Sequence, residues 1–184
     1  MPSLEGQRAA EGKGWSLRLQ LNYFKFFSPL LSFPRFRFNS IPVNHRILFI
    51  CTGNFYRSRF AEAVFNHRAE QQQLPWAAFS RGLAIHFAEG YLSPFAAEAL
   101  LTRQIDLRHT GRERVQLSED DLLKADRRIA MDRTEHLPMM QTQFSAWADK
   151  IEYWDVPDIP YRSFKDALPE IEQKIIQLLQ EVAP

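Results

Sequence analysis

The chain contains one cysteine, Cys51, followed six positions later by Arg57 in the segment Cys51-Thr52-Gly53-Asn54-Phe55-Tyr56-Arg57-Ser58. A thiolate is a nucleophile, and a guanidinium is a planar fork that can make two charge-assisted bonds to phosphate oxygens. The apolar run Ile47-Leu48-Phe49-Ile50 immediately before Cys51 predicts a buried strand, and a helical spacing begins at Arg59. A loop between strand and helix turns its backbone N–H groups toward one point, where the helix N-terminus also favours an anion. Gly53 and Asn54 tolerate the left-handed backbone that a phosphate-wrapping loop requires. The same field favours Cys51 as thiolate, so an activated nucleophile and a phosphate cradle share one loop. A lone cysteine excludes an internal disulfide, a Cys-x-x-Cys redox pair and any zinc site needing two thiolates.

Such a loop must be held by a sheet, and from Arg46 onward short apolar runs alternate with helical periods, as in a parallel sheet covered by helices. After the first strand, Ala61, Val64, Phe65 and Arg68 mark a helix from Arg59 to about Gln72, which Pro75 ends. Ala77 to Ser80 reads as a second strand, with an irregular stretch to Leu92 and a helix from Ser93 to about Arg103. Ser118-Glu119-Asp120-Asp121 puts a cap and three acids at a helix start, where the macrodipole favours them. Arg128 to Met131 reads as the third strand, Asp132 opens a polar helix, and Lys150 to Trp154 reads as the fourth strand. In the closing helix Phe164, Leu168, Ile171, Ile175, Leu178 and Val182 fall on one face. The expected fold is α/β, a doubly wound four-stranded parallel sheet with helices on both faces and a phosphate-binding loop after the first strand. Residues 1–45 differ: they hold Gly6, Gly12 and Gly14, few acids, and an aromatic-basic stretch from Tyr23 through Phe38 without a sustained period. They are expected to form a disordered extension or translated upstream sequence, with a membrane-surface or targeting arm as the alternative, and residues 46–184 the domain.

The segment from Ile47 to Ser58 with Ala61-Glu62-Ala63 resembles the low-molecular-weight protein tyrosine phosphatases and the related arsenate reductases. Ser80-Arg81-Gly82-Leu83 is similar to that family's Ser-Ala-Gly-Thr turn, Met131-Asp132 to its Met-Asp after the third strand, and Trp154-Asp155-Val156-Pro157-Asp158 to the approach to its acid loop. The resemblance implies Cys51 as nucleophile, Arg57 as transition-state clamp, Ser58 donating to the thiolate, and Asn54 and Ser80 bracing the loop. It also implies substrate contacts from Thr52, Gly53, Asn54, Phe55, Tyr56 and Ser58, with Tyr161 beside them, and neither metal nor cofactor. The proton donor belongs on the loop after the fourth strand, where Asp158, in the stiff turn Pro157-Asp158-Ile159-Pro160, is preferred to Asp155. The chain departs from the family pattern with Phe55 for a small residue or Ile, Tyr56 for a common second cysteine, Arg59 for Pro, and Ile159 inserted between Asp158 and Pro160. His86 or Phe87 falls where the family carries a large aromatic at the pocket rim.

Other chemistry-bearing residues read more plainly. His45, His67, His86, His109 and His136 show no ligand spacing, and His109 with Arg112 matches a family pattern that braces structure. Tyr153 and Trp154 read as core or sheet-edge aromatics, and Tyr161 equally as one of these or as a pocket wall. A net charge of +1 gives no electrostatic case for nucleic acid, and the longest apolar stretch, Tyr23 to Phe33, is broken by Lys25 and Pro29, so no stable membrane insertion is expected. The default address is the cytoplasm. The expected activity is cysteine-dependent phosphomonoester hydrolysis through a phosphocysteine, on a phosphotyrosine protein or a small aryl phosphate. The alternatives are a phosphate-binding module with weakened catalysis and an arsenate reductase, which would need an external thiol because no second cysteine exists.

Overall fold

The computed structural model describes residues 42–183. The expectation of a disordered arm therefore lies almost wholly outside the described residues. Four parallel strands, β1 (His45–Cys51), β2 (Trp76–Gly82), β3 (Arg127–Ala130) and β4 (Glu152–Tyr153), form one sheet in the order β2-β1-β3-β4. They alternate with helices α1 (Arg57–Gln71), α2 (Pro94–Thr102), α3 (Glu119–Lys124), α4 (Arg133–Gln143) and α5 (Phe164–Val182).

The unbroken apolar run of β1 follows from burial on both faces, because successive side chains of a strand point to opposite sides. Ile47, Phe49 and Cys51 join Phe60 and Val64 of α1, Leu100 of α2 and Leu168, Ile171 and Ile175 of α5 in one core. Leu48 and Ile50 join Leu122 of α3, Met140 of α4, and Ala148 and Ile151 in the other. The doubly wound expectation holds, and so does the apolar face of α5, whose Leu168, Ile171, Ile175 and Leu178 are all buried.

Local signals set the helix starts. The Ser118 side chain accepts from Asp121 N while Asp121 receives the Ser118 amide, a capping box that employs the acids at this helix start. Asp132 caps α4 through Oδ1, which accepts from Glu135 N at 2.8 Å. The sequence misjudges the fourth strand, because residues Ser145–Lys150 coil as a 3-10 helix and only Glu152–Tyr153 pair as strand. The chain nevertheless keeps running along β3, with Trp154 N donating to Ala130 O and Val156 N to Met131 O. In doubly wound folds ligands gather at the carboxyl ends of the strands where the order reverses, here between β1 and β3.

Candidate active site

The loop leaving β1 and the first turn of α1 sit at that reversal. Asn54 takes the left-handed conformation at φ 47°, whereas Gly53 does not, so the asparagine supplies the bend. Its side chain is buried and fully engaged: Oδ1 accepts from Val115 N at 2.8 Å, and Nδ2 donates to Ser80 Oγ at 2.8 Å and Ser58 Oγ at 3.2 Å. Ser58 Oγ in turn lies 2.9 Å from Cys51 Sγ. Ser80 Oγ donates to Glu62 Oε2 at 2.6 Å, where Thr110 also donates at 2.8 Å. Burial pushes the Glu62 carboxyl above its ordinary range, against these hydrogen bonds and the nearby Arg59. One buried chain of side chains thus runs from Glu62 through Ser80, Asn54 and Ser58 to the thiol.

Arg59, where the family pattern has proline, is buried and used. Its Nε donates to Thr110 Oγ1 at 2.7 Å and Nη1 to Glu113 O at 2.9 Å, and Nη2 donates to Gly111 O. The guanidinium therefore ties α1 to the strip 110–115 that also supplies the Val115 amide for Asn54.

Cys51, Thr52, Gly53, Phe55, Tyr56, Asp158 and Tyr161 line one cavity of about 960 Å³. Asn54, Ser58 and Ser80 do not line it, because their side chains point into the network beneath the loop, and Arg57 is buried behind the lining residues Glu135 and Asp158. Asp155 is exposed and outside the cavity, bridging to Asp132 in the backbone, while Asp158 is on the wall. Of the two rim aromatics considered, Phe87 lines the cavity, with His86 tilted against it at 4.2 Å between ring centroids. Tyr161 is a rim residue, 89% exposed, not a core one. Tyr153 instead donates to Ala148 O, and Trp154 packs on Phe49. Tyr56 OH is buried without a hydrogen-bond partner among the described residues, and its ionisation is pushed up to about 12 by burial and by Asp158, against Arg57.

Arg57 is fully buried, and its fork faces two carboxylates. Nη1 donates to Val156 O at 3.1 Å, while Nη2 contacts Asp158 Oδ2 at 2.6 Å and Glu135 Oε2 at 2.8 Å. Nε, on the same edge of the fork as Nη2, is buried with no partner among the described residues. Glu135 also accepts from Thr52 Oγ1 and lies 3.6 Å from His136 Nε2. Burial works against its charge, but Arg57, His136 and the bonds from Thr52 and Arg57 hold its carboxyl below the ordinary range. His136, fully buried with Nδ1 against the Asp132 backbone, is pushed down to about 4 by burial and by Arg57, so it is neutral near pH 7.

Glu135, His136 and Glu62 were not singled out as site residues by sequence reasoning. In the sequence Glu62 stands within the Ala61-Glu62-Ala63 motif and His136 among histidines without ligand spacing. The available signal was Met131-Asp132: a helix capped at the carboxyl end of a central strand delivers its first-turn residues to the ligand edge. Among the described residues no group of three or more His, Cys, Asp or Glu side chains is placed to hold a metal ion, and no helix is long and apolar enough to cross a membrane.

Residues 46–184 match the family model for low molecular weight phosphotyrosine protein phosphatase. A protein-arginine-phosphatase from Bacillus subtilis is 32% identical over 148 residues, covering 74% of this chain and 93% of that protein. Among solved structures, the low molecular weight protein tyrosine phosphatase from T. tengcongensis is 31% identical with a TM-score of 0.64, over 74% of this chain and 99% of that one. The YwlE mutant from Bacillus subtilis is 30% identical with a TM-score of 0.63, over 74% and 97%. Strand-end Cys51 and Asp158 on one cavity, with buried Arg57 bonded to Asp158, agree with these matches, and the chain belongs to the low molecular weight phosphotyrosine protein phosphatase family as a cysteine-based phosphatase.

Proposed function

We propose that the protein hydrolyses phosphotyrosine on proteins, or small aryl phosphates, through a phosphocysteine on Cys51. The observation that carries this reading is the Arg57 edge: a buried Nε without a partner beside an Nη2 that faces the cavity carboxylates, in a loop that also holds the thiol. Nε and Nη2 on one edge of a guanidinium suit two phosphoryl oxygens, and the Nη2 partners Glu135 and Asp158 both line the cavity. Two phosphate oxygens meeting Nε and Nη2 would set phosphorus in front of Sγ. The Cys51 thiolate, receiving the Ser58 hydroxyl hydrogen, attacks phosphorus, and the bond to the leaving oxygen breaks as Asp158 delivers its proton there. Water then attacks the phosphocysteine, Asp158 takes its proton, and the P–S bond breaks to give inorganic phosphate and the thiolate. The aromatic side chains of Phe55, Phe87 and Tyr161 offer a wall for an aryl leaving group.

A second reading, hydrolysis of phosphoarginine on proteins, is favoured by the 32% identical protein-arginine-phosphatase and by Asp132, Glu135 and Asp158 along the cavity, which suit a cationic leaving group. Phosphate release from phosphotyrosine and phosphoarginine peptides by the purified chain tests both readings. Faster release from phosphotyrosine supports the first, faster release from phosphoarginine the second, and release from neither overturns both.

A further inference from the structure

We infer that Glu135 is a built-in competitor for the phosphate site, holding the Arg57 fork against free phosphate so that a ligand must bring contacts beyond its phosphoryl group. The inference rests on the phosphate site proposed above. Arg57 has one edge with which to meet two phosphate oxygens, and at Nη2 that edge is occupied by Glu135 and Asp158 together. The two carboxylates are not equivalent. Asp158 belongs to the turn Pro157–Pro160, and in the proposed reaction its carboxyl is engaged by the leaving group. Glu135 is fixed at both ends: its amide is tied to the Asp132 cap of α4, and its carboxylate accepts from Thr52 in the phosphate loop itself. His136 is buried against it and does not bring a compensating positive charge at neutral pH.

A phosphoryl dianion entering the cradle therefore meets a carboxylate that keeps its place beside the same guanidinium, and like charges at that spacing weaken binding. Free phosphate has no other handle. A phosphorylated side chain reaches Phe55, Phe87 and Tyr161 on the rim and offsets the opposition by apolar contact. Glu135 thus acts as a specificity residue through Arg57, favouring substrate over inorganic phosphate and the release of product.

Calorimetric titration with inorganic phosphate tests this on the full chain and on Glu135→Gln, which keeps the size and the helix cap but removes the charge. Phosphate should bind the variant at least about tenfold more tightly, and KM for p-nitrophenyl phosphate should fall by a larger factor than kcat changes. Glu89→Gln removes a carboxylate from the same cavity wall without touching Arg57, and should leave phosphate affinity as it is. Unchanged or weaker phosphate binding in Glu135→Gln would overturn the inference, as would an equal gain in Glu89→Gln, which would show only a general field. No phosphate binding to either the unsubstituted chain or Glu135→Gln would overturn the phosphate site itself, and the competitor with it.

Discussion

At the scale of single residues, the nucleophile and the cradle separate cleanly. Cys51→Ser should lower turnover to the assay floor while phosphate still binds, because in the proposed reaction backbone amides and Arg57 form the cradle and only the thiolate forms the covalent bond. Turnover that survives this substitution would place the chemistry elsewhere. Arg57→Lys should cost about a hundredfold or more in kcat, since an ammonium cannot present the Nε and Nη2 edge to two oxygens and would remain buried between Glu135 and Asp158. Steady-state rates on p-nitrophenyl phosphate decide it. Asp158→Asn should slow phenyl phosphate far more than nitrophenyl phosphate, because the poorer leaving group needs the proton, whereas Asp155→Asn, exposed and off the cavity, should show no such dependence. The reverse pattern would transfer the role to Asp155. Cys51 and Arg57 were legible in the sequence because one loop carries both. Glu135 stands 78 positions from Arg57 and meets it only because β3 lies beside β1, a juxtaposition that local spacing does not encode.

At the scale of elements, the end of β2 works as a shelf for the phosphate loop. Gly82 pairs with Cys51 in register, and a Cβ there would lie 2.8 Å from Thr52 O and 2.9 Å from Asn54 N, both loop backbone atoms. Gly82→Ala should therefore destabilise the fold by about 1–3 kcal/mol and cut kcat/KM at least about tenfold, since displacing the loop misaligns the cradle. Urea denaturation and turnover read the two effects, and a variant with normal kcat/KM would show that the loop does not lean on this glycine. The Ser80-Arg81-Gly82 turn was visible in the sequence, but the reason for its glycine was not, because the crowding backbone atoms belong to Thr52 and Asn54, far earlier in the chain. Strand and helix types followed from apolar period and caps. The fourth strand did not, because Lys150 to Trp154 has strand-like residue types while the preceding turn consumes Lys150 in a 3-10 helix. Arg59 illustrates the same limit: its place in a helix was readable, its tie to the 110–115 strip was not.

For the whole molecule, a chain beginning at Asn44 should keep full turnover and an unchanged urea midpoint, because β1 starts at His45 and the amides of Asn44 and His45 both reach Pro75 O. A drop in either would show that the first 43 residues contribute to the domain. The response to acid should be set at the site itself. His136 titrates near 6.5 in the unfolded chain but only at about 4 when buried, so between those values the unfolded state binds the extra proton. Stability is then unaffected by His136 above about pH 6.5 and falls as pH drops from there toward 4, by on the order of 3 kcal/mol at about 1.4 kcal/mol per pH unit. Glu135, whose folded carboxyl ionises below its unfolded value, acts in the same direction lower in pH, its contribution being lost as pH falls through the folded value. Glu62 acts oppositely, since its raised folded value makes its contribution decline as pH rises through that value. The difference between the full chain and His136→Leu isolates the histidine. From pH 7 to 4 the urea midpoint of the full chain should fall clearly more steeply than that of His136→Leu, and parallel profiles would mean that the buried imidazole is not what acid attacks.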